Sequence, residues 1–130
     1  MTETTAVATY EASEIASSSA AYLREHGLAQ FNLRLPTGEA CFTGAILIAL
    51  GGVAEEDRQW DLWDVLGPYD PNAPVRICFD RVVGRAEVIL HERGLPEYRS
   101  DPVHWNNGAE RTTEEVAQLF DQIAEDLARA

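Results

Sequence analysis

Cys41 is the residue whose neighbours in the sequence most favour nucleophilic chemistry. It lies two residues before Thr43, which we predict to be the N-cap of an apolar helix. Unpaired N–H groups and the helix dipole at such a position favour a thiolate. His104 and Asn106 follow later in the chain, in the cysteine–histidine–asparagine order of papain-like enzymes. Cys41, His104 and Asn106 are therefore the candidate catalytic residues.

The spacing of His104 and Asn106 argues against a catalytic triad. In an extended segment their side chains point the same way but stand roughly 6–7 Å apart, because each residue rises ~3.3 Å. Asn106 would then be too far from the imidazole to orient it. A free cysteine in apolar surroundings is also ordinarily a small buried hydrophobe. A buried, unreactive Cys41 is thus our leading interpretation, and a cysteine-dependent hydrolase or transferase is the alternative.

A second group of candidate residues surrounds Trp105. Trp105 can pack against the last predicted helix while Asn106 and Asn107 bond backbone groups, which would explain this run by structure alone. Arg111 just before that helix can pair with acids of the segment 53–66, or it can face an anionic ligand. The sequence therefore leaves open a pocket for a small anionic ligand near Arg111 and Trp105.

Trp60 and Trp63 indicate protein binding. They stand close to one helical turn apart on an otherwise charged segment, and tryptophan is enriched in interface hot spots. Core packing is the competing interpretation of this pair. If the chain has a partner surface, we expect these residues to belong to it, with either another protein or a second copy as the partner.

The histidines do not form a metal-binding pattern. His26, His91 and His104 show no ligand spacing with the cysteines or with Asp61 and Asp64. We therefore predict neither a metal nor a cofactor.

The charge of the chain bounds its partners. The net charge is −12, and the ten basic residues are all arginines. Nucleic acids and anionic membranes are bound through clustered cations, so we expect neither as a partner. Cys41 and Cys78 lack zinc-like spacing, no signal peptide is recognisable, and no apolar run reaches the ~18 residues of a membrane span. These features predict a cytoplasmic protein with reduced thiols.

The element that must position the candidate residues is the apolar run from Gly44 to Leu50. With Thr43 as its cap and Gly51-Gly52 as its stop, the run is predicted to be a two-turn helix. Because it is apolar on every side, it must be enclosed by the other elements.

Four further helices are predicted from apolar periodicity and end signals: Glu11–His26, Val53–Leu66, a helix from Pro74 to just before Gly94, and a last helix opened by a Thr112–Glu115 capping box. The first turn after Pro74 also fits an extended segment, because Val75, Ile77 and Phe79 alternate with other residues.

A short β-hairpin is predicted before the central helix. Phe31, Leu33 and Leu35 alternate with polar residues, and a turn at 36–38 returns the chain along 39–42. Residues 1–10 are predicted to be a flexible N-terminus, and residues 95–111 to be irregular. The predicted fold is mainly α: one compact domain over residues 11–130, with four to five helices and the hairpin preceding the central apolar helix.

Three motifs resemble one known family in their order and spacing. They are Cys41-Phe42-Thr43-Gly44-Ala45 entering an apolar helix, Trp105-Asn106-Asn107, and Arg111-Thr112 followed by Glu114-Glu115-Val116. The chain resembles an uncharacterised family of short proteins, a domain of unknown function from high-GC Gram-positive bacteria and their phages. The family pattern reads Trp-Asn-Asp, so a role for a carboxylate at the position of Asn107 does not carry over. The resemblance implies a shared fold and no activity.

Together these features favour a small, acidic, non-enzymatic module that acts by binding a protein. The alternatives are the cysteine-dependent enzyme that uses Cys41 with His104 and the pocket for a small anionic ligand near Arg111 and Trp105. Exposure of Cys41 separates the first two hypotheses, since a module buries this thiol and an enzyme presents it in a cleft near His104.

Overall fold

The structure, a computed structural model, describes residues 10–51, 62–95 and 101–129 as an all-α single domain. Its α-helices are α1 (Ala12–His26), α2 (Phe42–Gly51), α3 (Pro74–Glu92), α4 (Pro102–Asn106) and α5 (Thr113–Arg129), with a 3-10 helix at Leu62–Leu66. Residues 1–9, predicted to be flexible, and most of the predicted helix Val53–Leu66 lie outside the described residues.

The central position of α2 follows from its composition. None of its ten residues has a charged or amide side chain, and the segment from Phe42 to Ile48 is buried throughout. The helix contacts α1, α3, α4 and the 3-10 helix, and the Phe42 ring stacks on Phe120 of α5 with centroids 4.6 Å apart. An apolar helix enclosed on every side is therefore confirmed.

The helices around α2 are amphipathic. α1 packs most extensively against α5, and its buried face is built largely from small residues, which let two helices approach closely: Ala12, Ala16, Ser19, Ala20 and Leu23. Gly27 ends α1 with φ 98°, a conformation that glycine adopts readily. α3 begins at Pro74 as predicted, with the proline in its first turn.

The predicted capping box at the start of α5 is confirmed. The Glu115 N–H donates to Thr112 Oγ1 at 3.1 Å, and the Thr112 N–H donates to Glu115 Oε1 at 2.9 Å. These reciprocal bonds satisfy two backbone donors that a helix start otherwise leaves open. They fix α5 to begin at Thr113.

The predicted β-hairpin is wrong, because the described residues contain no strand. Only isolated bridges form, from Ala40 to Leu28 on one side and to Arg34 on the other. Phe31 has φ 67°, outside the extended region, so it interrupts the run that alternation suggested to be a strand.

The predicted cap of α2 was misplaced. The helix begins at Phe42, and Cys41 occupies the N-cap position, where Thr43 was expected. The Cys41 carbonyl accepts from the Ala45 N–H at 2.8 Å, and its Sγ accepts from the Gly44 N–H at 3.3 Å. Thr43 is buried inside the first turn.

The segment predicted to be irregular contains α4. Asp101 caps this short helix by accepting from the Val103 N–H at 2.9 Å, and Pro102 occupies its first position. Aspartate followed by proline is a helix-start signal, so this element was readable from the sequence.

Candidate functional site

A loop at residues 30–33 crosses directly over the first turn of α2. The Leu33 carbonyl accepts from the Cys41 N–H at 3.2 Å, and it lies where a side chain on Gly44 would project. A Cβ placed on Gly44 would stand 1.9 Å from that oxygen. Glycine at position 44 is therefore required for the loop to lie on the helix, which gives the Cys41–Ala45 motif a structural reason.

The Asn106 side chain connects α4 to the start of α2 and to the chain just before the loop. Its side chain is buried, with 1% of the residue exposed, and its Oδ1 accepts from the Phe42 N–H at 2.9 Å. Its Nδ2 donates to the Ala29 carbonyl at 3.1 Å and to Asn107 Oδ1 at 3.2 Å. Asn106 thus satisfies the start of α2 and the preceding loop at once, in accord with the expectation that it bonds backbone groups.

Asn107 and Gln30 hold the loop from its other end. Asn107 Oδ1 accepts from the Phe31 N–H at 2.8 Å. Gln30 Nε2 donates to the carbonyls of Asn106 and Gly108 at 3.0 and 2.8 Å. These bonds tie the loop to α4, and within the loop Phe31 adopts its positive φ.

The result is an apolar groove of about 330 Å³. We call it the α2 groove, and in the described part of the chain it is lined by Phe31, Asn32, Leu33, Cys41, Phe42, Thr43, Trp63, Val103, Asn106 and Asn107. Three apolar side chains on it are unusually open to solvent: Phe31 is 77% exposed, Val103 46% and Trp63 44%. Trp63 also contacts the core, since its ring meets Phe79 edge-on at 6.1 Å.

Some of the site residues predicted from the sequence line the α2 groove, and others do not. Trp63, Cys41 and Asn106 line the α2 groove, whereas His104 lies exposed on α4 and is absent from the lining. Trp60 lies outside the described residues. Phe31 and Val103 were not anticipated as site residues, because exposure of an apolar side chain depends on tertiary packing.

Cys41 lies in the floor of the groove as a buried thiol. Only 8% of the residue is exposed, and burial raises the pKa of the thiol, although nearby backbone N–H groups that contact the sulfur partly offset this. The raised pKa keeps the thiol protonated near neutral pH, which disfavours nucleophilic attack. The backbone N–H groups at the start of α2 were expected to activate Cys41. Two of them already have acceptors: the Gly44 N–H donates to the Cys41 sulfur, and the Phe42 N–H donates to Asn106 Oδ1.

His104 and Asn106 are separated for a reason different from the predicted one. The segment is helical, not extended, and residues two apart on a helix point in different directions. The Asn106 amide is also fully engaged with Phe42, Ala29 and Asn107. This geometry does not bring the imidazole and the amide together.

The Arg111 side chain packs against Trp105, which is six residues earlier in the chain. Its Nε donates to the Trp105 carbonyl at 2.8 Å, and its guanidinium carbon lies 4.0 Å from the centroid of the Trp105 ring. Among the described residues, its carboxylate partner is Glu115, at 3.6 Å. Most of the segment 53–66, whose acids are the other candidate partners of Arg111, lies outside the described residues. These contacts fix the guanidinium against Trp105.

In residues 10–51, 62–95 and 101–129, no three histidine, cysteine or acidic side chains gather into a metal-binding group. None of the helices described is both long and apolar enough to cross a membrane.

The sequence matches a protein-family model. A family model described as a family of unknown function, DUF6197, matches residues 7–126. The chain belongs to this family. The match covers nearly the whole chain and confirms the resemblance to a domain of unknown function. Neither a curated protein nor a solved structure matches.

Proposed function

We propose that this member of DUF6197 is a non-enzymatic protein-interaction module that receives an apolar side chain of its partner in the α2 groove. The observation that carries the proposal is the placement of Phe31. Phe31 is 77% exposed, and its backbone is held at φ 67°. A bulky residue at positive φ costs of order 1–3 kcal/mol, and such strain clusters at functional sites.

The surroundings of Phe31 support the same function. Trp63 and Val103 are also exposed and line the same groove, so the apolar surface is continuous rather than scattered. Apolar surface of this kind, rimmed by polar residues, marks interaction sites. Tryptophan anchors such sites well, because it supplies a large contact area at a small cost in side-chain entropy.

The contacts of the other candidates favour binding over catalysis. The Cys41 thiol is buried with a raised pKa and is occupied as a helix cap, which gives little support to a cysteine nucleophile. Arg111 is stacked on Trp105 and bonded to it, which gives little support to an anion-binding pocket there.

The test is a selection of random short peptides displayed on phage against the full chain. Peptides enriched on the wild type should lose affinity roughly thirtyfold or more for Phe31→Gly and for Trp63→Ala, the loss expected at interface hot spots. Tyr69→Ala is the matched control, because Tyr69 is an exposed aromatic residue that does not line the groove. The proposal fails if no peptide is enriched, or if the enriched peptides bind the groove variants as tightly as the control.

A further inference from the structure

We infer that the partner segment is cationic: it places one large apolar side chain in the α2 groove and carries arginine or lysine beside that side chain. This inference rests on the proposed function and adds the chemistry of the partner. It depends on three observations about charge and hydrogen bonding around the groove.

The first observation is that the groove itself offers no charge. Every residue that lines it in the described part of the chain is uncharged. Its volume of about 330 Å³ lies at the lower end of the range for ligand pockets, ~300–1,000 Å³. The groove therefore suits an apolar side chain and leaves charged groups of the partner outside it.

The second observation is that the backbone donors beneath the groove are already used. The Phe42 N–H donates to Asn106 Oδ1, the Gly44 N–H to Cys41 Sγ, and the Ala45 N–H to the Cys41 carbonyl. A helix start attracts anions through free N–H groups, and these three are not free. These three backbone groups therefore offer no compensation to an acidic partner.

The third observation concerns the charged residues that adjoin lining residues in the sequence. Asp64 is exposed and follows Trp63 directly, while Asp101, which caps α4, is exposed two residues before Val103. Arg34, which follows Leu33, is half-buried and already has an interaction partner. The net charge of −12 adds a long-range attraction for a cation. Charges at the rim of an interface act mainly on association rate and selectivity. Acidic residues near the groove therefore favour a basic partner, while the groove itself binds the partner's apolar side chain.

The composition of the enriched peptides is the first readout. The inference expects a leucine or aromatic residue flanked by arginine or lysine, and replacing those basic residues with glutamine should weaken binding about tenfold or more near physiological salt. Groove-dependent peptides without basic residues would overturn the inference and leave the proposed function standing. Absence of any enriched peptide would instead contradict the proposed function.

The second readout uses a matched pair of variants on one enriched peptide. Asp64→Asn should weaken binding roughly three- to tenfold at ~0.02 M salt and less than about twofold at ~0.5 M salt, because screening removes a surface attraction. Glu87→Gln removes the same charge from an exposed position on α3, away from the groove, and should change the affinity little. Equal effects of the two variants would contradict a local role for Asp64.

A third test asks whether a second copy of the chain occupies the groove. A second copy of this acidic chain does not fit the inferred partner, so sedimentation should show no dimerisation that depends on the groove. Dimers that form with concentration and disappear in Phe31→Gly would identify a second copy as the occupant and overturn the inference.

Discussion

The Phe42 N–H donates to Asn106 Oδ1 at 2.9 Å, and this bond joins the start of the central helix to the short helix α4 across 64 residues of sequence. It explains why asparagine is suited to this position. The side chain must accept from one buried backbone group and donate to another, the Ala29 carbonyl, at the same time. The bond also fixes α4 beneath the loop that carries Phe31.

Replacing Asn106 with alanine should destabilise the domain by about 2–4 kcal/mol. The substitution leaves the Phe42 N–H and the Ala29 carbonyl buried without partners, and each such group costs ~1–3 kcal/mol. Denaturant unfolding measures the change. Asn32→Ala is the control, since Asn32 is exposed and its side chain donates to the nearby Gln30 carbonyl at 3.3 Å; its effect should stay within about 0.5 kcal/mol. Similar midpoints for the two variants would contradict the role assigned to Asn106.

Two helix glycines should respond to alanine in opposite directions. Gly44→Ala should cost about 1–3 kcal/mol or more, because its Cβ would meet the Leu33 carbonyl at 1.9 Å. Gly84→Ala should stabilise the domain by roughly 0.5–1 kcal/mol, because α3 has open space there and alanine is the better helix former. Thermal melting of both variants tests the prediction, and a stabilised Gly44→Ala would place the loop away from α2.

Phe31→Gly should leave stability unchanged or raise it slightly. The substitution relieves ~1–2 kcal/mol of strain at positive φ. It also costs ~0.5–1 kcal/mol, because glycine has greater conformational freedom in the unfolded chain. Little packing is lost, because Phe31 is 77% exposed. Circular dichroism melting, read beside the peptide affinities, should show binding lost while the fold is retained. A fall in stability above about 1 kcal/mol would mean that the ring packs as part of the fold.

Cys41 should react with iodoacetamide only as fast as the protein opens. Burial raises the pKa of its thiol, so the reactive thiolate is scarce in the native state below pH ~8.5, the pKa of an ordinary thiol. The experiment uses a Cys78→Ala background and compares labelling with and without denaturant. Rapid native labelling that rises through a pKa below that of a free thiol would contradict this environment and favour the cysteine enzyme.

Cys78 should make stability fall at alkaline pH. Burial is the main cause that raises the pKa of this thiol to about 11, while Arg81 lowers it in part. As pH rises, the thiol ionises in the unfolded chain at a lower pH than in the folded protein. The stabilisation that comes from the raised pKa of Cys78 is therefore complete below pH ~8.5 and is lost as pH rises toward about 11. Between those values the slope for this group is at most ~1.4 kcal/mol per pH unit. Denaturant midpoints across this window should fall less steeply for Cys78→Ala, and identical slopes would contradict the shift.

Much of the helical frame was predictable because its signals are local. Gly27 after α1, Pro74 at the start of α3 and the Thr112–Glu115 box each act within a turn of the helix end they mark. The all-apolar composition of α2 likewise requires enclosure whatever surrounds it. Asp101-Pro102 carried an equally local signal for α4, and the prediction of an irregular segment passed over it.

The groove was decided only by tertiary structure, because its determinants are partners far apart in the sequence. The alternation of Phe31 with polar neighbours predicts a strand, yet its backbone N–H is held by Asn107, 76 residues later. The choice of Cys41 over Thr43 as the cap of α2 depends in the same way on Asn106, which takes the Phe42 N–H. Sequence alone therefore determined the four longer α-helices, α1, α2, α3 and α5, and that one of them is buried. Which apolar side chains stay exposed depended on the packing of α4 and the loop against α2, since a side chain is exposed only where no other element covers it.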